Sequence, residues 1–85
     1  MATDEDIRRT ILRKMLRLGY IGGRHTSIDN LPKGFPKSER GRVKMVVQIM
    51  IKEGYFVVRR KPDALHVSLN PKILSQVKYE IESEE

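Results

Sequence analysis

His25 and His66 are the side chains that could hold a metal ion or move a proton near neutral pH. They lie in separate segments of a chain without cysteine, and no His-x-x-Glu spacing supplies further ligands, so no metal site is expected. Surface or phosphate-contacting histidines are the simpler expectation. Ser68, His66 and Asp63 can be assembled on paper as nucleophile, base and orienter, but neighbours along one strand alternate faces and no nucleophile turn surrounds them. Gly19, Gly22 and Gly23 lack the GK[ST] sequence and the preceding strand of a phosphate loop, and read as a turn. The residue types therefore point away from an enzyme, and no cofactor is expected.

The chemistry that remains is carried by cations. The formal charge of +6 comes from 17 lysines and arginines against 11 acids, and the acids are unevenly placed. Asp4, Glu5 and Asp6 open the chain, while Glu80, Glu82, Glu84 and Glu85 close it. Between Ile7 and Lys78 lie all 17 bases and only Asp29, Glu39, Glu53 and Asp63, which leaves the body at +13. A field of that size suits a polyanion, and without one its self-repulsion destabilises a small compact domain. The acidic ends could shield the basic body, although complementarity to the helix dipole explains Asp4 to Asp6 more simply.

Eighty-five residues, 39% of them hydrophobic, are enough for a single domain over 1–85 with acidic ends (1–3 and 82–85) that need not be ordered. The longest apolar run, Tyr55 to Val58, is far short of the roughly 20 residues of a membrane span. With an acidic rather than basic start, a cytoplasmic, nucleoid-associated protein is expected.

The elements that must position these cations can be placed from local signals. Thr3 as cap, three acids in the first turn and Gly19 as stop predict a helix over Asp4 to Leu18, with Ile7, Ile11, Met15 and Leu18 as its apolar stripe. Arg9, Arg13 and Arg17 recur on one flank as a phosphate-facing row or a solvated face, the latter favoured for Arg9. His25-Thr26-Ser27 predicts a short edge strand, and Ser27 caps a helix that Pro32, Gly34 and Pro36 limit to one or two turns. Val43, Val46, Val47, Met50 and Ile51 mark the longest buried helix, over about 37–53, which Gly54 ends. Tyr55 to Arg60 and Leu65 to Leu69 form a hairpin through Lys61-Pro62-Asp63-Ala64. Asn70-Pro71 starts a closing helix with Ile73, Leu74, Val77 and Ile81 as its narrow stripe. The class is mainly α with a small antiparallel β-hairpin, in the order α-β-α-α-β-β-α.

That order is the order of a winged helix-turn-helix. The segment VKMVVQIMIKEGYFVVRRKPDALHVSLNP resembles the recognition-helix-to-wing region of the winged-helix family, and about 50 residues carry the resemblance. The stretch RHTSIDNLPKGFPKSERGRVK resembles a group of small archaeal winged-helix proteins described as predicted DNA-binding proteins or transcriptional regulators. The resemblance implies a third helix in the major groove and a hairpin on the backbone beside it. The Lys61 to Ala64 turn is short for a wing, so deep reach into the minor groove is not expected.

With Val43 at the centre of the buried side, Ser38, Gly41, Met45, Gln48 and Lys52 fall opposite it, flanked by Arg42 and Lys44, with Arg40 nearer the buried flank. Arg42 and Gln48 are the side chains chemically able to read guanine and adenine edges, and Met45 could meet a thymine methyl. Gly41 marks either a close backbone approach or a late helix start, and Ile49 is expected to pack. Lys37 and Ser38, with Thr26 and Ser27, offer hydroxyls and amides to phosphates, though capping explains the hydroxyls equally. Arg24 on one side and Arg59, Arg60 and Lys61 on the other would bracket the helix with backbone contacts, and because alternation puts Arg59 and Arg60 on opposite faces, Arg60 and Lys61 are the ones chosen. Phe35, Tyr20 and Tyr55 read as core.

The function expected is that of a transcriptional regulator bound to double-stranded DNA, with the C-terminal stripe as a candidate homodimer seam. The competing expectations are a winged-helix module for protein or RNA contacts within a larger complex, and a binder indifferent to sequence.

Overall fold

The computed structural model describes residues 3–82. Helix α1 (Asp4–Leu18) begins where Thr3 closes a capping box: its hydroxyl accepts from the Asp6 amide at 3.1 Å, and the Asp6 carboxylate accepts from the Thr3 amide at 3.2 Å. That backbone bond, more than any other influence, holds the Asp6 carboxyl below its ordinary pKa. Gly19 ends α1 at φ 75°, a left-handed conformation that a side chain would strain. Ile7, Ile11, Leu12 and Met15 are buried, whereas Leu18, placed on the same stripe by its spacing, is 38% exposed at the helix end.

Strand β1 (Thr26–Ser27) follows, and then the corner departs from the sequence expectation. In place of a short α-helix stand two 3-10 turns, Ile28–Asn30 and Pro32–Gly34. Pro32 can donate no amide bond, so the first turn cannot propagate through it. A third 3-10 turn, Lys37–Glu39, leads into α2 (Arg40–Lys52), so the helix expected over 37–53 is α-helical only from Arg40. Gly41 therefore sits in the first turn of α2, as a late helix start requires.

Strands β2 (Phe56–Arg60) and β3 (Leu65–Leu69) form the hairpin, closed by the Lys61 amide donating to the Ala64 carbonyl at 3.0 Å. The antiparallel sheet runs β1-β3-β2, with Thr26 and Val58 both opposite Val67, and Arg59 and Ser27 both opposite His66. Residues in one cross-strand row share a face, so Phe56, Val58, Arg60, Thr26 and Val67 lie on the inner face. Val57, Arg59, His66, Ser68 and Ser27 lie on the outer one. Asn70 caps a last 3-10 turn, Pro71–Ile73, which continues as α3 (Leu74–Glu82). The acids beyond Glu82 lie outside the described residues.

One core joins α1, α2, the inner face of the sheet and α3, with Met15, Val43, Met50, Val67 and Val77 all fully buried. Ile73, Leu74 and Ile81 pack on that core, and the stripe read as a dimer seam therefore faces the protein's own body. Beside it, the Arg8 guanidinium donates to Glu53 at 2.7 Å and to the Tyr55 hydroxyl at 2.6 Å, and that hydroxyl donates to Glu80. α1, the end of α2, the start of the hairpin and α3 are tied at one point. The fold is a winged helix-turn-helix, mostly helical with a small three-stranded antiparallel sheet.

Candidate nucleic-acid interface

The four inward side chains of α2, Val43, Val46, Val47 and Met50, occupy about a third of its circumference, and packing them against α1 and the sheet fixes what points outward. Gly41, Arg42, Lys44, Met45, Gln48, Ile49 and Lys52 are exposed, and α3 packs on α1 without covering them. Ser38 and Lys37 are exposed in the turn ahead. Met45 is 67% exposed as its spacing implies. Ile49 corrects the sequence reading: expected to pack, it is 47% exposed, because the 3-10 corner that would have covered it lies against the opposite edge of α2, at Lys44, Val47 and Gln48. Met45 and Ile49, one helical turn apart, share a face.

The arginines of α2 are already engaged. Arg42 donates from Nε to the Asp4 carboxylate at 2.7 Å, with both side chains about half exposed. Arg40 donates to the backbone carbonyls of Phe35 at 3.1 Å and Lys33 at 3.3 Å, which fastens the proline corner to the helix. Thr26 departs from the outward hydroxyl that phosphate binding needs. Buried at 7% exposure, it accepts from Asn30 at 2.9 Å inside the corner, because the strand's inner face is the core face. Ser27 accepts from the Asp29 amide at 3.3 Å, so capping accounts for its hydroxyl, and the side-chain bond from Asn30 for that of Thr26. Arg24 lies over the Tyr20 ring, 5.4 Å from its centroid, with its charge still exposed.

The acids sort the remaining charge. Glu53 and Glu80 bind Arg8, Glu5 binds Arg9 and Asp4 binds Arg42, so the ion pairs gather along α1. Lys37, Lys44 and Lys52 on the α2 side, with Arg59, Arg60 and Lys61 in the hairpin, make no ion pair among the described residues. Of the last three, Arg60 shares the inner, helix-ward face, and Arg59 the outer.

Sequence reasoning missed the outer face of the sheet. His25 and His66, 41 residues apart, meet Nδ1 to Nδ1 at 2.9 Å with their rings edge to face and centroids 4.9 Å apart. Burial, then His66, Lys61 and Arg59, hold His25 below its ordinary pKa. The alternation of β1, had its register against β3 been known, would have put the two rings together. Among the described residues no group of three His, Cys, Asp or Glu could hold a metal ion, and no helix is long and apolar enough to cross a membrane.

Among solved structures, the chain resembles one described as a possible transcriptional regulator for arsenical resistance. The TM-score is 0.65 at 18% identity, over 96% of this chain and 84% of that one. No family model and no curated protein matches the sequence. The likeness carries the winged-helix fold; it does not bear on the resemblance to small archaeal proteins.

Proposed function

We propose that the chain is a transcriptional regulator that binds double-stranded DNA, with α2 in the major groove and the hairpin on the backbone beside it. The observation that carries this reading is the sorting of charge. Asp4, Glu5, Glu53 and Glu80 form their ion pairs along α1, while Lys37, Lys44, Lys52, Arg60 and Lys61 keep no acid partner among the described residues. Such cations release condensed counterions when they meet phosphates, which supplies most of the affinity whatever the sequence. Gln48 and Met45, exposed mid-helix, are the side chains that would touch an adenine edge and a thymine methyl, and Arg42, now held by Asp4, is the one that would read guanine. Lys37, Ser38, Arg24 and Lys61 serve as phosphate contacts that fix orientation. Selection of bound sequences from random duplex at physiological salt tests the reading. An enriched motif supports it, an unspecific smear leaves an architectural binder, and no recovery overturns it.

A second reading is favoured by Met45 and Ile49. Two exposed apolar side chains on one face of a charged helix suit a protein partner as well as thymine methyls. A partner that stays bound after nuclease treatment would establish an interaction module in its place.

A further inference from the structure

The hydrogen bond between the histidines requires one ring to donate from Nδ1 and the other to accept, so the pair with both rings neutral carries a single shared proton between these atoms. The charges that act on His25 are cationic, while the carboxylate of the same turn, Asp63, is not among them. His66 comes from β3, Arg59 stands opposite His66 on β2 and Lys61 lies in the turn, and no carboxylate acts on His25. A divalent cation would be repelled there; an anion would be welcomed. One added proton leaves the Nδ1 contact intact and makes the donor ring an imidazolium. Both Nε2 atoms then carry hydrogens, and two cationic side chains stand alongside. A second proton would put hydrogens on both Nδ1 atoms and break the contact. The pair is thus built to accept one proton, and the neighbouring charges oppose it until an anion offsets them.

We propose that the outer face of the hairpin, where His25 and His66 meet beside Arg59 and Lys61, is a second phosphate-binding surface that takes up one proton when a phosphate group of the duplex is seated on it. This rests on the DNA-binding reading, but the surface is separate from the outer side of α2, since the rows holding Arg59 and Arg60 face opposite ways. The linkage makes duplex affinity rise as pH falls through the histidine range, by an amount set by how far a bound phosphate favours the charged ring.

Two measurements on the full chain test it. Duplex affinity at constant salt is expected to be about threefold higher near about pH 6 than near about pH 8, since a shift of about one unit in one group gives the full tenfold only at pH below both of its pKa values. His66→Gln and His25→Gln should remove most of that difference, while Lys44→Ala lowers affinity at both pH values and keeps it. Equal pH dependence in the parent and both histidine variants overturns the proposal. Independently of any variant, the ring signals of His25 are titrated by NMR alone, with a short duplex and with inorganic tripolyphosphate. Titration moved to higher pH by both supports the proposal. Titration moved by tripolyphosphate alone, with no duplex bound at low salt, keeps the anion site and removes the DNA-binding reading. Titration moved by neither removes the site, even if α2 binds DNA.

Discussion

Asp4, the first residue of α1, holds Arg42 of α2 at 2.7 Å, so the acidic start of the chain neutralises a cation on the helix face proposed to enter the groove. The acidic start thus meets the basic body pair by pair, Asp4 against Arg42 and Glu5 against Arg9. Asp4→Asn removes this contact from Arg42 and is expected to raise duplex affinity about 1.4- to fivefold, the scale of an exposed ion pair worth about 0.2 to 1 kcal/mol. Anisotropy titrations at low salt check this; Asp4→Asn combined with Arg42→Ala should show no gain over Arg42→Ala alone.

Affinity should fall with salt. With about six phosphates neutralised, log affinity against log salt has a slope near about −5, and Lys44→Ala and Lys61→Ala should each flatten it by about one. Lys72→Ala, in the turn before α3 and outside the proposed contacts, should leave it unchanged. Binding insensitive to salt would contradict the proposed role of these lysines.

Tyr55→Phe removes the hydroxyl that joins Arg8 to Glu80. Tyr55 is 5% exposed, and a hydrogen bond to charged groups lost at such a site costs about 1 to 3 kcal/mol, readable as a lower midpoint in urea unfolding. Burial, then the bond to Glu80, raises the phenol pKa. Stability from a folded pKa above the unfolded value is present below the unfolded pKa, about 10, and lost as pH rises through the folded one. The parent should therefore lose stability at alkaline pH more steeply than the variant.

Gly41→Ala should stabilise the fold. Gly41 is exposed in the first turn of α2, its φ is not positive, and a β-carbon there would meet nothing within 4 Å. Removing glycine's unfolded-state freedom gives about 0.4 to 1 kcal/mol, a rise of a few degrees in the thermal midpoint.

Most of the architecture was legible because its signals are local. Thr3 and Gly19 delimit α1 where the sequence puts them, and the proline-containing turn closes the hairpin between the expected strands. The corner was legible only as a bend, since Pro32 announces that a helix stops without saying that 3-10 turns replace it. The candidate site was legible in its exposed side chains and not in its partners. Arg42 with Asp4, Arg8 with Glu53 and Glu80, and His25 with His66 are separated by 38 or more residues, and periodicity carries no information about which surfaces meet. Ile49 was misplaced for the same reason: its exposure depends on which edge of α2 the corner packs against, a choice made by tertiary packing.

Because the sheet runs β1-β3-β2, the hairpin's first strand has a free side, with a row of backbone donors and acceptors open to another chain. Arg59 and Arg60 stand on that border, one to each face, and like charges there repel a second copy approaching edge to edge. The pair thus carries a second duty, keeping neighbouring molecules from zipping into an extended sheet at high concentration. A variant stripped of both arginines to abolish polyanion contacts would also lose its guard against self-association.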